Sequence, residues 1–242
     1  MSSPQGQVRV GRLEEFLLVA PVLLFSMVAH EYAHGYAALR QGDPTAFQLG
    51  RLTWNPLRHI DPVMTVILPV LTFFGGGFMF GGAKPVPVVP RNYRNYKRGD
   101  IIVSLAGIVT NLGLVVVAVV AFILFGLGGR ALPMLNDTFS ILQLMMFYGV
   151  AFNLMLAMFN LMPIPPLDGS HVMKYLLPPA WALRYQQVGM YGILILLFFM
   201  GTGIGRGFLN TWMAPAIWLQ ARAMRLVTPY FLSSPFTQAL FG

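Results

Sequence analysis

The chain has 242 residues, of which 56% are hydrophobic and 10% charged, with a formal net charge of +8 and no cysteine. Such a balance excludes an ordinary soluble domain, and the excess positive charge does not describe a nucleic-acid face, because the basic residues sit in short connections between apolar stretches, where the positive-inside rule puts them. Lack of cysteine excludes disulfides and thiolate ligands, leaving histidines and carboxylates for any borderline metal.

Residues 1–13 read as a polar N-terminal arm, and 14–39 as the first helix, closed by Gln41-Gly42-Asp43-Pro44. Glu14 and Glu15 at its mouth, with no small-x-small site before His30, mark it as a retained span rather than a cleaved signal peptide. After a polar connection at 45–60, the apolar run 62–82 begins at Pro62 and dissolves into five glycines in eight residues, 75–82, which argues against a straight spanning helix. The next connection, Lys84 to Asp100, carries Arg91, Arg94, Lys97 and Arg98. Two further apolar segments, 101–127 and 141–162, follow, and the second ends in the proline-broken run Pro163-Ile164-Pro165-Pro166-Leu167-Asp168-Gly169. Residues 186–204 are expected to make another span and 208–227 a last helix. The expected architecture is an all-alpha polytopic membrane protein, with four to six membrane helices and a glycine-rich re-entrant segment at 62–82. No repeat or separate soluble domain is visible, so 1–242 reads as one membrane-embedded domain.

His30-Glu31-Tyr32-Ala33-His34 at the end of the first helix is an HExxH sequence. Its histidines are four apart, hence on one helical face, and Glu31 is placed to take a proton from metal-bound water. Ionisable groups in a membrane helix are costly and mark function. A catalytic zinc normally has three protein ligands, and His59, His171 and Asp168 are the further candidates. Asp168 is preferred, because the broken backbone before it presents a carboxylate to a protein-lined cavity; its ordinary alternative is a helix N-cap, and His171 is its rival or a supporting partner. One zinc ion per chain is expected.

If the first and fourth apolar segments both end at the metal, they run in the same direction. Segment 101–127 then crosses between them, and 62–82 must enter and leave on one side. With the catalytic ends toward the cytosol, nearly all basic connections fall inside, while the outer connection 128–140 carries Arg130 balanced by Asp137.

These residues resemble the site-two protease family of intramembrane zinc metalloproteases, in its compact prokaryotic form without a separate regulatory domain. Besides the HExxH sequence, the likeness is carried by Asn160, Pro163, Asp168 and Gly169 in an Asn-x-x-Pro-x-x-x-x-Asp-Gly pattern, by Gly50 to Pro56, by Ala83 to Val88, and by Ser104 to Asn111. Ile108 stands where relatives often have proline, and Gly82 where they commonly have tryptophan. The resemblance implies zinc on His30, His34 and Asp168, and a polar active-site role for Asn111 and Asn160, holding the substrate strand or stabilising the oxyanion. It also implies membrane-spanning protein substrates in a lipid bilayer, and no nucleic acid. Because a spanning helix hides its carbonyls, a substrate must unwind or bind extended, and 62–82 offers a place for an extended edge or gate. A divalent-metal transporter using the same His/Asp cluster is the alternative; it would call for several carboxylates within the spans. A catalytically silent scaffold is at odds with the retention of Glu31 beside all three expected ligands.

Overall fold

A computed structural model describes residues 12–76, 81–192, 195, 198 and 202–233. Helix α1 (Arg12–Gln41) starts with Glu14 and Glu15 and ends with Arg40, charges that complement its dipole at both ends. A short helix α2 (Thr45–Gln48) follows. After the re-entrant segment and its helix α3 (Leu68–Gly76), α4 (Tyr96–Ala131) begins at Asn95, whose side chain accepts from the Arg98 N–H at 3.0 Å. Helix α5 (Asn136–Asn160) returns, and the short helices α6 (Asp168–Met173) and α7 (Pro179–Val188) precede α8 (Gly203–Val227). Among the described residues there is no β-strand.

Helices α1, α4 and the segment Pro133–Asn160 containing α5 are long and apolar enough to cross a membrane. At about 1.5 Å per residue, α1, α4 and α5 measure about 45, 54 and 38 Å against a hydrocarbon core of about 30 Å. The protein is thus a multi-pass, all-helical membrane protein.

Cross-helix contacts give the directions. Tyr148 donates to Glu15 at 2.8 Å, and Asn153 donates to Ser26 at 2.9 Å, so α1 and α5 run parallel. Gly107 lies against His30 while the Val103 carbonyl meets His34 at 2.7 Å, so α4 runs antiparallel between them. Val19, Leu23 and Met27 on α1 bury Phe73 of α3 between them, with Phe16, Tyr148 and Phe152 packed around. A second cluster joins Ala118 of α4, Val150 and Leu154 of α5 and Ala216 of α8. Trp212 of α8 donates to the Met158 carbonyl at 2.8 Å, and beyond the other end of α8 the Tyr230 carbonyl accepts from Gln143 at 2.9 Å. The last helix therefore runs antiparallel to α5 along its length and shares its depth. The span expected at 186–204 lies partly outside the described residues, as do 1–11 of the N-terminal arm.

The segment 62–82 starts and ends at the same level. Asp61 caps it, accepting from the N–H groups of Val63 and Met64 at 2.9 and 2.8 Å, and a π-helical turn (Pro62–Ile67) leads into α3. On return, the Gly82 N–H reaches the Met64 carbonyl at 2.9 Å and the Lys84 N–H the His59 carbonyl at 2.8 Å, so both ends lie at one level. The inward limb is helical rather than the extended edge entertained above; residues 77–80 lie outside those described.

From Ala83 to Val89 the backbone has no regular secondary structure and is tied down at intervals. Arg51 donates to the Lys84 carbonyl at 3.0 Å, and Asp43 accepts from the Val89 N–H at 2.6 Å, the Asn92 amide at 2.8 Å and the Thr45 hydroxyl at 2.5 Å. Burial opposes ionisation of Asp43, but these donors outweigh it and hold its carboxyl below the usual range. This belt lies across the end of α1, directly beside the HExxH turn.

Candidate metal centre

Because α1 is regular through residues 30–34, His30 and His34 stack one turn apart, and their Nε2 atoms are 3.0 Å from each other. Asp168 Oδ2 lies 3.1 Å from His30 Nε2 and 3.2 Å from His34 Nε2. The three side chains are 9%, 12% and 21% exposed. They are the one group of three or more His, Asp or Glu side chains placed to hold a metal among the described residues.

The other ring nitrogens decide what this triangle is for. His34 Nδ1 faces the Val103 carbonyl, which can only accept, so Nδ1 carries a proton and, in the neutral ring, Nε2 offers a lone pair. His30 Nδ1 donates to the Asn111 side-chain oxygen at 2.5 Å, with the same result. With both rings neutral, two nitrogen lone pairs and a carboxylate oxygen converge on one point, which is the donor set a divalent cation takes. Ligand atoms 2.0–2.1 Å from a tetrahedral zinc would be about 3.4 Å apart, close to the 3.0–3.2 Å found here. The donor set fits zinc.

Close approach is built into the backbone on two sides. A Cβ on Gly107 would stand 2.5 Å from His30 Cε1, so α4 offers the imidazole a seat only where a side chain is absent. A Cβ on Gly169 would stand 2.2 Å from the Leu161 carbonyl oxygen, so the turn that delivers Asp168 folds directly onto the end of α5. Asp168 is the first residue of α6 and makes no capping bond there. Its carboxylate is turned to the histidines instead.

Glu31 accepts from the Val86 N–H at 2.7 Å. Pro85 and Pro87 have no N–H, so Val86 is the sole backbone donor in that stretch, and its single bond goes to Glu31. Asn111 is fully buried, and its amide nitrogen donates to Asn153 at 2.7 Å. Asn160, half-buried at the end of α5, donates to the Leu156 carbonyl at 3.0 Å. His171 points elsewhere: it meets Asp100 at 3.2 Å and is 42% exposed. His59, fully buried, meets the Thr53 carbonyl at 2.9 Å and braces its own loop.

Sequence reasoning passed over several supports. Asp100 near the start of α4 pairs with Lys174 at 2.5 Å and accepts from Tyr175 at 2.9 Å, clamping the end of α6 to α4. An acid and a lysine near membrane-helix ends read as interfacial charges; only their burial, at 3% and 8% side-chain exposure, shows otherwise. Ser26 and Asn153 also went unassigned, although a polar residue inside an apolar helix was the available signal.

The profile of the family described as "Peptidase family M50" matches residues 134–200. "Putative zinc metalloprotease YwhC" of Bacillus subtilis is 34% identical over 80% of this chain and 83% of its own length. "Putative zinc metalloprotease Rip2" of Mycolicibacterium smegmatis is 31% identical over 81% of this chain and 70% of its own length. "Putative zinc metalloprotease MJ0611" of Methanocaldococcus jannaschii is 33% identical over 74% and 82%, respectively. No solved structure matches the chain.

Proposed function

This chain belongs to peptidase family M50, the site-two type of intramembrane zinc protease, and from that premise we propose that His30, His34 and Asp168 hold one catalytic zinc, with Glu31 as general base. The enzyme is a zinc metalloendopeptidase that acts on membrane proteins in the bilayer. What supports the residue assignment above all is the convergence of three lone-pair donors with both Nδ1 atoms turned outward onto acceptors.

Zinc in this seat supplies Lewis acidity toward the scissile carbonyl and lowers the pKa of water. Glu31 takes the proton from the attacking water and returns it to the leaving amine. One of its oxygens is held by Val86, which keeps the carboxylate oriented and leaves the other oxygen for the proton. Asn111 acts through His30 as a positioning residue. Asn160, at the exit of α5, is assigned to the substrate backbone, the role the family resemblance implies. Residues 1–242 are read as one metalloprotease domain.

The proposed orientation puts the metal-proximal ends of α1, α4 and α5 toward the cytosol, because Arg40, Arg91, Arg94, Lys97 and Arg98 all lie at that end. The test is reconstitution of purified protein in lipid with single-span substrates, comparing native chain with Glu31→Gln. Zinc-dependent cleavage that disappears in the variant, with zinc still bound, is the expected result. Cleavage that persists in Glu31→Gln would reject Glu31 as the base.

A further inference from the structure

Behind His30 a row of buried polar groups runs across three helices: Asn111 on α4, Asn153 on α5, and Ser26 on α1, at 0%, 3% and 1% exposure. Each hydrogen bond in it has a direction. At the far end the Ser26 hydroxyl donates to the Val22 carbonyl at 2.9 Å, and the Asn153 amide nitrogen donates to the Gly149 carbonyl at 2.8 Å. Backbone carbonyls only accept, so these two ends cannot be reversed. Asn153, with its nitrogen turned to Gly149 and to Ser26 Oγ at 2.9 Å, must present its oxygen to Asn111. Asn111 then offers that oxygen its nitrogen at 2.7 Å and turns its own oxygen to His30 Nδ1. An amide flip anywhere in the row would set two acceptors or two donors against each other among fully buried groups.

We infer that Asn153, backed by Ser26 and the Gly149 and Val22 carbonyls, sets the tautomer of His30, forcing its proton onto Nδ1 so that Nε2 stands ready for metal before any metal arrives. The inference rests on the proposed role of His30 as a ligand. It makes Asn153 and Ser26 positioning residues for the metal centre although neither touches it. An unbiased neutral imidazole divides its proton between the two nitrogens, and every molecule with the proton on Nε2 is closed to zinc until it switches. His34 needs no such device, because its Nδ1 meets a backbone carbonyl directly. His30 faces a side-chain amide, which could turn either way, and so its orientation has to be imposed from further back.

The experiment uses the full-length chain with 15N-labelled histidine, with and without zinc, reading ring-nitrogen signals by NMR and zinc affinity by competition with a chelator. The His30 signals are identified by their loss in His30→Ala. Asn153→Leu removes the acceptor that holds Asn111; metal-free protein should then show both His30 tautomers, and zinc affinity should fall about 10–100-fold. Asn153→Ala, which leaves space in place of bulk, is made beside it and carries the same expectation should the leucine variant fail to fold. Asn153→Asp, kept neutral by its burial, donates its O–H toward the Gly149 carbonyl and still presents an oxygen to Asn111, so it should keep the Nδ1-protonated form and zinc affinity within about threefold of native. A single native tautomer with unchanged affinity in the leucine or alanine variant overturns the inference, as does Asn153→Asp behaving like Asn153→Leu. Retention of zinc by His30→Ala would instead overturn the ligand assignment, whatever the tautomers show.

Discussion

The imidazole of His30 rests on Gly107 with no room for a methyl group between them: the nearest ring atoms would lie 2.5 and 2.6 Å from an added Cβ. The ring cannot simply swing aside, since Nδ1 is bonded to Asn111 and Nε2 faces Asp168 and His34. Gly107→Ala should therefore lower zinc affinity tenfold or more, about 1.4 kcal/mol or greater, and proteolysis with it. Gly113→Ala on the same helix meets nothing within 4 Å and serves as the control; it should leave zinc content intact and stabilise the helix by up to about 1 kcal/mol. Metal analysis and thermal unfolding in detergent measure both.

The bond from Val86 to Glu31 is testable because proline deletes the one N–H concerned. Val86→Pro, in a stretch already flanked by Pro85 and Pro87, should reduce kcat about tenfold or more while zinc content stays near native. Val86→Ala retains the N–H and loses only side-chain packing, so its kcat should stay well above that of the proline variant. Equal kcat values in the two variants would count against a role for this bond in turnover.

Asp168 and His171 lie on one short helix but face different partners. Asp168→Asn should lose most zinc, because a neutral amide is a poorer ligand than a carboxylate, whereas His171→Ala should retain it. Asp100→Asn acts differently again: it leaves the Lys174 ammonium buried without its counter-ion, at a cost of about 3 kcal/mol. Thermal stability should drop sharply in that variant, and Asp100→Asn with Lys174→Met should recover part of the loss.

Topology is read by accessibility. Single cysteines placed at the exposed positions Arg91, Leu176 and Met134 are to be treated with a membrane-impermeant reagent in right-side-out vesicles. The site at 134 should label from outside, and those at 91 and 176 only after permeabilisation. Outside labelling at 91 would reject the cytosolic assignment of the connection that follows the re-entrant segment.

Local rules in the sequence determined a good deal. Apolar length determined the spans, the glycines at 75–82 argued against a straight span over 62–82, and i to i+4 spacing put His30 and His34 on one face whatever surrounds them. Asp168 stood out because prolines end α5 just before it. Tertiary structure alone decided what meets across helices. The last helix is unremarkable in hydropathy, and only its packing from Met158 to Tyr230 gives its depth. The Val86 donor belongs to the backbone and so leaves no trace in residue type. The row from His30 through Asn111 and Asn153 to Ser26 depends on the register of three helices within about an ångström, which is set by the summed packing of their whole lengths. Sequence spacing carries register along one helix, where hydrogen bonds impose it; between helices only the packed structure does.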